Sequence, residues 1–428
     1  MILLIGAAML AAVLFMGCSD SDDGSKTYAV SVTAPAAGGT VTADKANPKQ
    51  GETVTLTAGP AAGYEFGKWI VESGDITLSP DETANPATFT MPAAAVSVKA
   101  EFVAIPPDVY VAGYYYDNNG PIACYWKNGV RTDLAIPQGT DRSNANSITV
   151  ENGKIYITGQ YRFIMNTWYA CYWEDGECIP LDDTTIGTTT HGSSITVVNG
   201  VVYVVGYSSD EKDLTSYLWT DGVRSDLAVP TSPGLAFCNS VVVSGTDVYV
   251  GGSYSTYACY WKNGVLTTLF PPPGTHPAYG SSMDVMGDAV YVSGYYIDPP
   301  NTVACQWNGN VCTALSVPTG TTYSIGHSVV VFDGIVYIAG QYKDAEGKTI
   351  PCYWKGSMRT DLPVPVGTGD AYPYSIAVSN GNVYIAGAYK LDVQQIKHAP
   401  CLWTNGEFAE LPIPAGTGGQ ASSVVAAQ

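Results

Sequence analysis

Positive charge is scarce in this chain: 19 Lys and Arg stand against 38 Asp and Glu, a formal net charge of −19 over 428 residues. The basic residues form no cluster, so nothing could neutralise a phosphate backbone, and nucleic acid is excluded as a partner. Charge of either sign is low, at 13%, which suits short strands and tight turns better than long amphipathic helices. Helical periodicity is missing after residue 17. No two cysteines stand in a C-x-x-C spacing, and His191, His276, His327 and His398 are never paired at ligand spacing, so no metal is expected. No catalytic motif is found and no cofactor is implied. The adjacent carboxylates Asp182-Asp183 and Asp210-Glu211 read as solvated loop charge.

Tyrosine and glycine, with 30 and 46 residues, are plentiful instead. They recur in a pattern that fills residues 108–428. Each copy opens with V-Y-(V/I)-x-G, the tyrosines being Tyr110, Tyr156, Tyr203, Tyr249, Tyr291, Tyr337 and Tyr384. A C-Y-W element follows, carrying Trp126, Trp173, Trp219, Trp261, Trp307, Trp354 and Trp403, then an Asn-Gly or Asp-Gly turn in most copies and a D-L-x-V-P run. A strand headed by Ser147, Ser194, Ser240, Ser282, Ser328, Ser375 or Ser423 ends each copy. Copies lie about 45 residues apart, the length of a four-stranded propeller blade. The order makes the serine strand innermost and D-L-x-V-P the outer strand. The first copy begins at Asp108 without a serine strand, whereas the chain ends just after one. That last strand is expected to complete the first blade and protect its edge. The expected fold is all-β: a small β-domain, then a seven-bladed propeller closed by the C-terminal strand. The glycine-ended strand followed by a tryptophan strand resembles the kelch group of propellers.

Residues 28–103 precede the repeats and carry their own alternating strands, Tyr28–Val32, Thr53–Leu56 and Val96–Phe102. The runs G-E-T-V-T-L-T-A (51–58), G-Y-E-F-x-x-W (63–69) and T-F-T-M-P-A-A-A-V-S-V (88–98) resemble the divergent internalin B-repeat family of bacterial surface proteins. That resemblance implies an extracellular spacer. Trp69 and Phe66 are read as core, and residues 104–107 as a stiff linker. Residues 2–17 are apolar and end at Gly17-Cys18, which resembles a bacterial lipoprotein signal with Cys18 as the lipidated residue. Residues 19–27 then form a tether. The protein is expected in the bacterial cell envelope, lipid-anchored at the outer membrane or cell surface, touching membrane only through that anchor.

Six cysteines share one repeat position and read as small core residues. Cys178 and Cys312 follow their neighbours by seven residues across a hairpin, where the register sets them opposite Trp173 and Trp307, so a bridge is not expected. The two long, variable connections of each copy share one face, the expected binding face. Its aromatic candidates are Trp168, Tyr116, Tyr169 and Tyr257, while the tyrosines two residues beyond the repeat glycine are assigned to packing. The residues just before the repeat serines are expected to ring a channel mouth: Asn146, Ser193, Asn239, Ser281, His327, Tyr374 and Ser422. The expected function is a monomeric binding or adhesion module for a glycan or protein. A carbohydrate-active hydrolase or lyase and a structural envelope scaffold are the alternatives.

Overall fold

The computed structural model describes residues 26–35, 38–163, 167–181, 188–209, 214–230, 235–391 and 397–427. Cys18, the apolar leader, most of the tether and both adjacent carboxylate pairs lie outside the described residues. Every element among the described residues is a strand, with no helix. The chain divides into two compact units, Met1–Pro106 and Pro107–Gln428.

The first unit holds two three-stranded sheets. In one, Val30–Thr33 runs parallel to Val96–Ala104, which pairs antiparallel with Tyr64–Ser73; in the other, Thr53–Pro60 sits between Gly39–Ala43 and Ala87–Thr90. Their alternating apolar residues meet in a core of Val54, Leu56, Trp69, Phe89, Met91 and Val98. Trp69 is buried, donates its indole N–H to the Ala84 carbonyl at 3.0 Å, and packs against Phe66.

Among its described residues the second unit contains seven four-stranded antiparallel sheets of one design. In the second of them, Arg142–Glu151 pairs with Lys154–Arg162, then Trp168–Glu174, then Glu177–Pro180. Asn152-Gly153 and Asp175-Gly176 make its tight turns, with φ of 51° and 78° and of 48° and 89°. Both central residues therefore adopt the left-handed conformation that a type I′ hairpin requires. The first sheet differs only in chain order: its serine strand is Gly419–Ala427, which pairs with Asp108–Tyr116.

Adjacent sheets are tied in two ways. Each serine strand packs on the next, from Arg142–Glu151 through to Ala371–Ser379, then Gly419–Ala427, and from there back to Arg142–Glu151. Ser147 Oγ accepts the Ile195 N–H at 3.3 Å, Ser375 that of Val424 at 3.1 Å, and Ser423 that of Ile148 at 3.4 Å. Ser194, Ser282 and Ser328 repeat the bond, whereas Ser240 donates to the Met283 carbonyl instead. Farther out, the repeat tryptophans are fully buried. Six of them donate the indole N–H to a carbonyl just past the preceding sheet's outer strand, as Trp261 does to Ala228 at 2.8 Å.

Those acceptors explain a departure from the sequence expectation. The outer strand of the first sheet is Val130–Asp133, not the D-L-x-V-P run. Leu134 makes one last bond to Ala123, after which the chain leaves the sheet; Ala135 offers its carbonyl to Trp173, and Pro137 has no N–H to continue a ladder. The repeat cysteines are buried free thiols. Cys178 and Cys312 lie opposite Trp173 and Trp307 and are free thiols as well.

Candidate functional site

Each serine strand carries one extra residue opposite its partner strand. The register slips between Ala145 and Ser147, and likewise at Gly192/Ser194, Cys238/Ser240, Gly280/Ser282, Gly326/Ser328, Pro373/Ser375 and Ala421/Ser423. The inserted residues are Asn146, Ser193, Asn239, Ser281, His327, Tyr374 and Ser422. A bulge bends its strand and re-aims the extra side chain. These seven residues and the seven serines that follow them line one pocket of about 160 Å³.

The repeat glycine makes the bulge possible. A Cβ on Gly159 would be driven into the Asn144 carbonyl, on Gly206 into that of His191, and on Gly252 into that of Phe237. None of these three has a left-handed φ. Glycine is required here for close backbone approach and not for its conformational freedom.

The pocket is polar and uncharged. Asn146 donates its Nδ2 to the Gly192 carbonyl at 2.7 Å and to Gln160 Oε1 at 3.1 Å, and Asn239 donates to the Gly280 carbonyl. Burial pushes the Tyr374 phenol up. Burial also pushes His327 down to about 4, against a smaller opposing pull from the neighbouring Gln341, so the imidazole is neutral at pH 7. The His327 ring is partly exposed, but its Nε2 is shut off from solvent. Gln341 is itself buried and its side chain interacts with His327. On the same strand as Ser282, Asp284 accepts the N–H groups of Val331 and Val285, and burial raises its carboxyl.

A second recess, of about 380 Å³, opens between the seventh and first sheets. Tyr114, Tyr116, Lys397, His398, Gly418, Gly419 and Gln420 line it. Tyr116 is 48% exposed and lies edge-on to Tyr114, with ring centroids 5.6 Å apart. Tyr114 donates its hydroxyl to Gln420 Oε1 at 3.1 Å, and Gln420 Nε2 reaches Ser422 Oγ of the polar pocket at 3.5 Å. Rings also connect the two sites: His327 meets Tyr374 edge-on, Tyr374 stacks with Tyr372, and Tyr372 meets His398 edge-on. The polar pocket and the aromatic cleft therefore share a wall.

The sequence candidates are not all gathered here. Asn146, Asn239, His327 and Tyr374 line the pocket, and Tyr116 lines the cleft. Trp168 lies elsewhere, half-buried at the start of its strand and opposite Arg162. Tyr169 is only 4% exposed and packs with Tyr161 and Phe163, which leaves no ring face for a ligand. Tyr257 packs between Phe270 and His276. Each histidine rests against a tyrosine, including His191 on Tyr207. Among the described residues no three His, Cys, Asp or Glu side chains converge as a metal site. Sequence reasoning missed Gln341 and Gln420. The position after the repeat glycine and that two before the bulge vary between copies, so only the strand register points to them.

No curated protein matches the chain. Among solved structures, the chain is similar to YjhT at 12% identity and a TM-score of 0.36, covering 60% of this chain and 96% of that one. It is similar to a mutant of AofleA from Arthrobotrys oligospora at 12% identity and a TM-score of 0.36, over 66% of this chain and 89% of that one. A mutant of the Aleuria aurantia lectin AAL in complex with Fucalpha1-6GlcNAc is similar at 10% identity and a TM-score of 0.36, over 64% and 97%. Residues 28–106 match the family described as the Divergent InlB B-repeat domain, three residues beyond the segment expected from sequence.

Proposed function

We propose that the second unit is a closed, seven-bladed, kelch-like propeller that acts as a binding module, with its ligand at the face where the polar pocket and the aromatic cleft open. The ligand is a glycan or a protein segment. The proposal extends to the whole chain: a lipoprotein anchored through Cys18, with residues 28–103 as a spacer, set in the bacterial cell envelope and displaying the propeller at the surface.

One observation carries the reading. Tyr116 offers an exposed ring beside His398, and the same wall continues through Gln420 into a pocket of amides and hydroxyls. An aromatic platform next to convergent polar groups is the arrangement of a small-ligand site. Glycan is favoured because a sugar ring presents an apolar face and several hydroxyls together. The lining residues, among those described, are amides, hydroxyls, one imidazole and a phenol, a set suited to holding hydroxyls and without the paired carboxyls of glycoside hydrolysis.

A glycan-array screen of the purified full chain tests this, with Tyr116→Ala and Trp168→Ala alongside. Selective binding that Tyr116→Ala removes and Trp168→Ala leaves intact supports the reading. Binding lost only in Trp168→Ala moves the site away from the cleft.

A further inference from the structure

The register that sets Gln420 opposite Tyr114 in the first sheet recurs in the others, and in the third and fourth it builds a second aromatic surface. His191, two residues before the bulge residue Ser193, pairs with Tyr207. Phe237, two residues before Asn239, pairs with Ser253. The His191 and Tyr207 rings lie 4.8 Å apart, and Phe237 meets Tyr207 edge-on at 5.7 Å. Phe237 is nevertheless 39% exposed, and Leu235, just before its strand, is 53% exposed. Large apolar side chains grouped in solvent at a strand end mark a contact surface better than scattered ones do.

This shelf and the Tyr116 cleft stand on opposite sides of the polar pocket. The serine strands pack in order from Gly419–Ala427 to Arg142–Glu151, Thr189–Val198 and Ala236–Ser244, which puts Phe237 three strands from Gln420 one way and four the other. Ser422 on the cleft side and Ser193 and Asn239 on the shelf side all line the pocket. The three surfaces are therefore continuous across the mouth: rings, then hydroxyls and amides, then rings. Burial pushes the His191 imidazole down, so it adds no charge to the shelf at pH 7. Uncharged rings at both ends suit the apolar faces of sugars, and the polar pocket between them suits their hydroxyls.

Resting on the binding function proposed above, we infer that this face takes an extended chain of linked sugars and not a single sugar. One end lies on Tyr116, the middle crosses the polar pocket, and the far end lies on Phe237 and Tyr207.

The test is calorimetric titration of the full chain with cello-, manno- and chito-oligosaccharides of one to six units, with Phe237→Ala and Tyr116→Ala as variants. Affinity is expected to rise with chain length, with one hexasaccharide bound per protein. Phe237→Ala should weaken the hexasaccharide about two- to tenfold, the size of one aromatic contact. It should leave the shortest glycan that binds unchanged, which also shows that the variant is folded. Loss in Tyr116→Ala with no effect of Phe237→Ala at any length overturns the shelf and leaves the cleft reading standing. Two hexasaccharides per protein, each removed by one of the variants, overturn the single extended chain. If no member of the three series binds, both this inference and the glycan reading fall.

Discussion

The indole N–H of Trp126 donates to the Pro412 carbonyl at 2.9 Å, joining the sheet that begins the repeats to the sheet that ends them. Ser375 does the same nearer the centre through Val424. The second bond is made by the C-terminal strand, which also completes the first sheet. Deleting residues 419–428 should therefore leave Asp108–Tyr116 with an unpaired edge. The expected result is a broadened thermal transition and concentration-dependent aggregation, measured by calorimetry and light scattering. Trp126→Ala in the intact chain is expected to cost about 3–5 kcal/mol in denaturant unfolding, as for other fully buried aromatics.

Gly252 and Gly264 separate two uses of glycine. Gly252 has no left-handed φ, but a Cβ there meets the Phe237 carbonyl; Gly264 has φ of 78° with open space around it. Gly252→Ala should cost about 1–3 kcal/mol, as overpacking does, and should displace Asn239, which sits at that bulge. Gly264→Ala should cost about 1 kcal/mol and leave the pocket intact. Chemical denaturation gives the energies, and ligand titration reports the pocket.

Much of this was legible in the sequence, for identifiable reasons. The seven tryptophans and seven glycines recur because each sheet solves the same packing problem, and repetition makes such positions visible. The pocket residues could be named because a serine marks every bulge, although their types vary from Asn146 to His327 to Tyr374. The outer strand was misplaced because D-L-x-V-P alternates like a strand, while its carbonyls serve the next sheet's tryptophan. Tyr169 looked like a binding ring because its loop is aromatic, yet its strand position turns it into the core. Gln341 was invisible because the residue after the repeat glycine varies between copies, and only the strand register sets it near His327.

Burial holds His327 at about 4 in the folded protein against an ordinary value of 6.5. The folded state therefore binds fewer protons than the unfolded state between those pH values. The stabilisation is present above about pH 6.5 and is lost as pH falls through 4, amounting to at most about 3 kcal/mol. The parent should lose more stability than His327→Phe over this interval. His191 is lowered by burial as well, so the variant keeps a residual slope. Urea unfolding at pH 7, 5.5 and 4.5 measures the difference.

Tyr116 and Tyr169 should part company on substitution. Tyr116→Ala removes a half-exposed ring and is expected to weaken ligand binding by up to about tenfold, in line with an aromatic contact worth roughly 0.5–1.5 kcal/mol, with little change in melting temperature. Tyr169→Ala removes a buried ring and is expected to cost about 3–5 kcal/mol of stability. Parallel calorimetry and ligand titration decide between the two roles.

Hydrogen exchange on the full chain, with and without a glycan selected by the array screen, tests the location of the site most directly. Protection should rise at residues 397–398, 418–420 and 324–328, where the cleft and pocket meet. Protection at the Asn-Gly turns instead, such as 128–129 and 152–153, or within residues 28–106, would contradict it.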